Sequence, residues 1–248
     1  ADVTAEGVTT TAKEEIENYV LNGTKLLVPY AHVADYIICA ARTKALAKLD
    51  EGITLFLVDT KSKGVTTTML GTMANDKQCE VVLDKVEVPQ KNILGEVNKG
   101  WPIMQQILER AAVAECALMV GSSQWIMDAT TEYSKTRVAF GVPIGSFEVV
   151  KHRLADMLAD LYCSQYITYQ AAWRIDEGLP CTKETSFAKA WVNEAHRRIC
   201  LGGNQTHGGI GYTWDHDIGL YWRRSKPAEI SFGDADHHLK IVAEQLGL

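Results

Sequence analysis

The hydrophobic and polar positions along the chain follow two patterns, which change near residue 100. Over residues 18–89, short β-branched and aromatic runs alternate with turn residues, a pattern typical of strands with short connections. Asn22-Gly23 lies between two such runs, and because this pair favours a type I′ turn, we expect a tight hairpin there. Further strands are predicted at residues 34–41, 54–59, 64–70 and 80–88. Five or six strands joined in this way predict a β-sandwich or barrel.

After Gly100, apolar residues recur at the three- and four-residue spacing of buried helices. The first predicted helix is long and spans residues 101–133. Three more are predicted at residues 147–177, 183–201 and 234–246, and Gly202-Gly203 ends the one at 183–201. Long helices with short links pack as antiparallel bundles. We therefore predict an α+β fold, with a β-sandwich or barrel-like domain over residues 1–97 followed by an antiparallel four-helix bundle over residues 98–248.

Composition and charge exclude several classes of protein. The 248 residues are 46% hydrophobic with a formal net charge of −6, which argues against disorder and against a nucleic-acid partner. No run approaches the 18 or so consecutive apolar residues of a membrane span. The six cysteines lack the spacing of a zinc site or disulfide framework, and adjacent His237 and His238 point about 100° apart on a helix, so we predict no metal. Reduced thiols predict a cytoplasmic location, or the mitochondrial matrix in a eukaryote.

Two segments between predicted helices could bind a ligand. Arg137 precedes Phe140-Gly141, and a guanidinium can pair with a phosphate while an aromatic ring covers a ring system. The alternative is an ordinary helix end with a solvated arginine. In the second segment, Gln205 precedes Gly208-Gly209, whose backbone can approach a ligand closely. The alternative there is a plain connection between helices.

Glu109 and Arg110 interrupt the apolar pattern of the first long helix. A carboxylate on a mostly buried face must be paired or must border a cavity, because isolated burial of a charge is costly. Glu109 could equally pair with a basic neighbour on a solvated face. Glu115 is a second acid on this helix, but six positions place it on the opposite side, so the two carboxylates do not share one site.

Four segments, taken in order, resemble the middle β domain and the C-terminal helical domain of the acyl-CoA dehydrogenase family. They are residues 19–25 (YVLNGTK), residues 86–96 (VEVPQKNILGE), Arg137-x-x-Phe-Gly followed by residues 154–157 (LADM), and Gln205-x-x-Gly-Gly-x-Gly-Tyr. The resemblance covers essentially the whole chain. It does not include the family's N-terminal helical domain of roughly a hundred residues, so we expect that the chain is a fragment, that this part is disordered, or that another chain provides it.

The resemblance implies an FAD-dependent enzyme that desaturates acyl-CoA thioesters between Cα and Cβ and passes electrons to an electron-transferring flavoprotein. The residues that match FAD contacts, mostly to the FAD of a neighbouring subunit, are Arg137, Phe140, Gln205, Gly208 and Gly209. This arrangement implies a homo- or hetero-oligomer built as a dimer of dimers. Arg110 and Gly233 are the predicted acyl-CoA contacts.

The catalytic base departs from the common family pattern. Many members carry a glutamate in a Tyr-Glu-Gly-Thr stretch, but the matching stretch here is Ser231-Phe232-Gly233-Asp234, and a phenyl ring cannot accept a proton. A branch of the family that resembles isovaleryl- and long-chain acyl-CoA dehydrogenases carries the base in a Leu-Glu-Arg stretch of the long helix. Glu109 matches that position and is the predicted base, with Asp234 as the alternative.

A second departure lies in the β domain. The family's Trp-Ile-Thr-Asn segment makes a hydrogen bond to the flavin ring through its Thr. Here it is replaced by residues 27–30 (LVPY), and Pro29 offers neither a hydroxyl nor an amide hydrogen. This leaves two rival hypotheses open. The chain could be a non-catalytic partner subunit that completes a sister subunit's flavin site, or it could run another flavin reaction on the same fold.

Overall fold

The computed structural model describes residues 3–44 and 50–248. The described chain divides into two compact units, Ala1–Leu108 and Glu109–Leu248. The predicted boundary at 97/98 stays a prediction, and the predicted β domain includes residues 1–2 and 45–49, which lie outside the described residues.

The first unit contains one mixed sheet in the order β5-β6-β2-β1-β3-β4-β7. Its strands are β1 (Thr11–Glu14), β2 (Asn18–Pro29), β3 (Tyr36–Arg42), β4 (Ile53–Asp59), β5 (Val65–Leu70), β6 (Gln78–Pro89) and β7 (Ile93–Leu94). The β1–β3 pair is parallel and the other neighbouring pairs are antiparallel. One face carries a core that includes Leu21, Val81 and Val86, and at β4 both faces are buried.

The hairpin predicted at Asn22-Gly23 is wrong. Both residues lie inside the 12-residue strand β2, where the pairing with β6 shifts register between Leu21 and Gly23. Such a bulge leaves one backbone group unpaired. The Asn22 side chain satisfies it, because its Oδ1 accepts a hydrogen bond of 2.9 Å from the Lys85 amide. Asn-Gly here lies inside a continuous strand, opposite the extra residue of β6, and does not reverse the chain.

The second unit is helical. The helices are α1 (Trp101–Thr136), whose first residues belong to the first unit, then α2 (Glu148–Asp176), α3 (Thr182–His207), α4 (Ile218–Ile230) and α5 (Ala235–Leu246). A two-stranded hairpin of β8 (Val138–Ala139) and β9 (Val142–Pro143) separates α1 from α2. Buried residues of α1, α2, α3 and α4 form one core, among them Met119, Ile126, Leu161, Ile199 and Ile218.

The predicted end of the third helix at Gly202-Gly203 is wrong, because α3 continues to His207. Gly203 serves packing instead: a Cβ at this position would lie 2.6 Å from Cγ2 of Ile126 on α1. The helix α4 is also an addition to the predicted four. It carries Pro227 in its last turn, and a proline there disguises a helix in the sequence.

Candidate functional site

Glu109 lies on α1 against the first turn of α3. The Thr182 hydroxyl donates a hydrogen bond of 2.6 Å to Oε1 of Glu109, and the Cys181 thiol lies 3.5 Å from Oε2. Glu109 itself is half-buried. The carboxylate therefore faces hydroxyl and thiol donors that the sequence alone did not identify, because they lie 72 and 73 residues further along the chain.

Cys181 is a hydrogen-bond donor in this arrangement. Burial raises the pKa of its thiol first, and the charge of Glu109 and the hydrogen bond to it raise it further. The sulfur therefore keeps its proton near neutral pH, and that proton points to the carboxylate.

Arg110 borders a large apolar groove between α1 and α2. The groove has a volume of about 670 Å³. Its walls are mostly small and branched side chains, among them Val113, Ala114, Ala117, Val120, Ala172 and Ile175. Such a surface can accommodate a hydrocarbon chain, and an exposed guanidinium beside it suits an anionic group.

Arg137 and Phe140 follow the end of α1. Phe140 and Gly141 form the two-residue turn between β8 and β9, with φ of 55° and 83°. Both values are positive, as a type I′ turn requires, so the hairpin geometry expected at Asn22-Gly23 occurs here. The Phe140 side chain is 97% exposed, with its ring edge to face on Phe147 at 6.2 Å between centroids.

Gln205, Gly208 and Gly209 lie at the end of α3. Gly208 has φ 66°, and its amide donates to the Asn204 carbonyl to end the helix. A Cβ on Gly208 or Gly209 would meet no atom within 4 Å, so the backbone there is uncrowded.

The ends of α1 and α3 lie side by side, as shown by the stacked rings of Tyr133 and His207, whose centroids are 4.3 Å apart. The two segments predicted to bind FAD thus meet at one end of the helical unit. A guanidinium, an exposed ring and an open glycine backbone fit a cofactor that carries phosphates and an aromatic ring system. The individual contacts to FAD stay predictions.

The stretch before α5 has backbone reasons for its residues. Gly233 has φ 101°, and a Cβ there would lie 2.6 Å from Cδ2 of His237. Asp234 is exposed and caps α5, because its Oδ1 accepts a hydrogen bond of 2.9 Å from the His237 amide. Capping accounts for the carboxylate of Asp234 without a catalytic role.

A buried polar network, missed by the sequence reasoning, links α3 to the end of α4 and links α5 to this same stretch. Lys189 is fully buried, and its ammonium donates to Oδ1 of Asn193 at 2.7 Å and to the Ala228 carbonyl at 3.0 Å. His238 donates from Nε2 to the Phe232 carbonyl at 2.9 Å. Burial lowers the pKa of Lys189 to about 8 and that of His238 to about 4. A lysine between Ala188 and Ala190 on an apolar helix was the available signal.

Two other features concern the described ranges alone. Within residues 3–44 and 50–248, no three His, Cys, Asp or Glu side chains are grouped so that they could hold a metal ion. Over those same residues, no helix has the length and apolar character needed to cross a membrane.

Family models match residues 98–247 to the acyl-CoA dehydrogenase C-terminal domain and residues 1–86 to its middle domain. The chain is 33% identical over 249 residues to the 3-(aryl)acrylate reductase of Clostridium sporogenes (strain ATCC 15579), covering 98% of this chain and 65% of that protein. It is 30% identical over 249 residues to the Caffeyl-CoA reductase-Etf complex subunit CarC of Acetobacterium woodii, covering 98% and 64%.

Among solved structures, an acyl-CoA dehydrogenase from Geobacillus kaustophilus matches with a TM-score of 0.96 and 26% identity, covering 100% of this chain and 66% of that one. These matches confirm the resemblance and the predicted fold class. The chain spans about 65% of the length of the first of these relatives.

Proposed function

The chain belongs to the acyl-CoA dehydrogenase family, and from this premise we propose that the protein catalyses α,β-desaturation of an acyl-CoA thioester. Members of this family are FAD-dependent flavoproteins. The observation that carries the proposal is the placement of Glu109. Its carboxylate is fixed by two donors, and the next residue, Arg110, lines the apolar groove.

In the proposed reaction, Glu109 removes the α-proton of the thioester as general base. Arg110 holds an anionic part of the acyl-CoA, and the groove accommodates the acyl chain and excludes water. FAD, when bound, supplies the acceptor for the β-hydrogen, which leaves as hydride. Two relatives are named as reductases, and in that direction the protonated Glu109 would return the proton to Cα.

We propose FAD binding by Arg137, Phe140, Gln205, Gly208 and Gly209. The exposed ring of Phe140 supports an assembly in which a neighbouring copy or its cofactor covers the hairpin tip. An electron-transferring flavoprotein is the proposed electron acceptor, because one relative is named as a subunit of a reductase-Etf complex. The six cysteines are free thiols, which supports a reducing compartment such as the cytoplasm.

A non-catalytic partner subunit is the second candidate. Pro29 at the end of β2 and Phe232 at the common base position favour it, because neither side chain can do the family's usual chemistry. Under this hypothesis, the chain expressed alone would be colourless, and flavin would bind only when a sister subunit is present.

The deciding experiment replaces Glu109 with Gln in the full-length holoprotein and follows bleaching of the flavin absorbance by acyl-CoA. We expect E109Q to slow bleaching by about 10²- to 10⁴-fold, the usual contribution of a general base. The matched control is D234N, because Asn caps a helix as well as Asp and only the proton acceptor is lost. Full bleaching by E109Q together with loss of bleaching in D234N would make Asp234 the base.

A further inference from the structure

We propose that Thr182 is a positioning residue for the Glu109 carboxylate, with Cys181 as a second donor. This inference rests on the proposed function, in which Glu109 is the base. It assigns a role to the connection between α2 and α3, which no family motif in the sequence pointed to.

The geometry of the two donors fixes the carboxylate. The 2.6 Å separation of Thr182 Oγ1 and Oε1 lies in the range of short hydrogen bonds to a charged oxygen. The Cys181 sulfur approaches the other oxygen, Oε2. Because each donor takes a different oxygen, rotation of the carboxylate about its last bond is restricted. An unrestrained glutamate would sample several rotamers on this half-buried surface.

The donors themselves are supported by the protein. Thr182 is the first residue of the 26-residue helix α3, with Cys181 as its N-cap. The preceding connection is fastened to α2 by Arg174, whose Nε donates to the Pro180 carbonyl at 2.8 Å and lies 3.2 Å from the Glu184 carboxylate. The hydroxyl is therefore presented from a fixed helix end.

A hydroxyl suits a base that changes protonation state. While Glu109 is ionised, the Thr182 O–H donates to it. Once Glu109 carries the α-proton, the same hydroxyl can rotate and accept a hydrogen bond from the carboxylic acid. The contact can thus persist through the proton transfer, and a methyl group in its place would lose it in both states.

The test compares T182V, T182S and C181A with wild type in the full-length holoprotein. We expect T182V to lower kcat by about 10- to 100-fold while KM for the acyl-CoA stays within about twofold, because only the orientation of the base changes. T182S keeps the hydroxyl and should recover most of kcat. C181A should lower kcat by less than T182V, because sulfur is the weaker donor.

The E109Q background separates this inference from the proposed function. If Thr182 acts through Glu109, T182V adds no further loss to E109Q. The positioning role would be overturned by wild-type kcat in T182V, by failure of T182S to restore kcat, or by a further loss of kcat in E109Q/T182V relative to E109Q. In each of these cases, a loss of activity in E109Q would still support the proposed function. If E109Q keeps full activity, the proposed base is wrong and the positioning role falls with it. Unfolding temperatures of T182V and T182S that match that of the wild type verify that folding is unchanged.

Discussion

The ring of Phe140 is expected to contribute to flavin binding and not to folding. Its side chain is 97% exposed, so F140A removes a ring that touches little of its own chain. Exposed substitutions of this kind change the free energy of unfolding by no more than about 0.5 kcal/mol. F140G should even stabilise the hairpin by about 1 kcal/mol, because φ of 55° at this position is strained for any residue with a Cβ.

The effect on flavin binding should be much larger. Full burial of a phenylalanine side chain is worth about 1.5–3 kcal/mol. If the bound flavin or the neighbouring copy covers this ring, F140A and F140G should both raise the dissociation constant of flavin by about 10- to 150-fold. The assay titrates flavin into the full-length apoprotein and reads the change in flavin fluorescence.

The control is I16A, because Ile16 is 99% exposed in a turn of the β domain, outside the predicted flavin site. It should leave the flavin dissociation constant unchanged. Wild-type flavin affinity in both Phe140 variants would refute the reasoning, since the ring would then face solvent in the holoprotein too. A large loss of thermal stability in F140A would refute it as well, because the ring would be needed for folding.

Two further predictions concern stability. Burial lowers the pKa of His238 to about 4, so on acidification the unfolded chain binds a proton before the folded chain does, and the free energy of unfolding falls as the pH drops from 6.5 to 4, by about 2 kcal/mol at pH 5. In urea unfolding, H238Q should lack this loss, and H152Q, at an exposed site, should keep it. Equal pH dependence of H238Q and wild type would contradict the assignment. G203A should destabilise the protein by about 1–3 kcal/mol, because the added Cβ clashes with α1. G121A, whose Cβ has open space around it, should be neutral or stabilising in thermal unfolding. A larger loss of stability in G121A than in G203A would contradict the packing role of Gly203.

The sequence predicts the long, periodic elements well. Strands β4, β5 and β6 and helices α1 and α2 lie within a few residues of their expected bounds, because burial of one face imposes a period that can be read directly. The failures occur where one local signal serves two structures. Asn-Gly suits a turn or a bulge, and the choice depends on β6, some sixty residues later. A pair of glycines can end a helix or allow a neighbouring helix to pack closely. Gly203 does the second, because Ile126 on α1 packs against it.

The candidate site divides in the same way. The residues on one segment, Glu109 with Arg110 and Arg137 with Phe140, could be singled out from local chemistry and family resemblance. Their partners could not. Cys181 and Thr182 form an unremarkable helix start in the sequence, and only folding brings them to Glu109. Asp234 stays the alternative base, and its capping contact with the His237 amide on α5 could not be read from the base-site comparison alone.

Lys189 has a consequence for chemical labelling. Burial lowers its pKa to about 8, so an opening that exposes the amine also returns it towards the mostly protonated state of an ordinary lysine. The same side chain is sealed from solvent. An acylating reagent would therefore modify it only during transient opening of the helices around it. The extent of acylation at this one position, followed over time by mass spectrometry, would therefore report the rate of that opening.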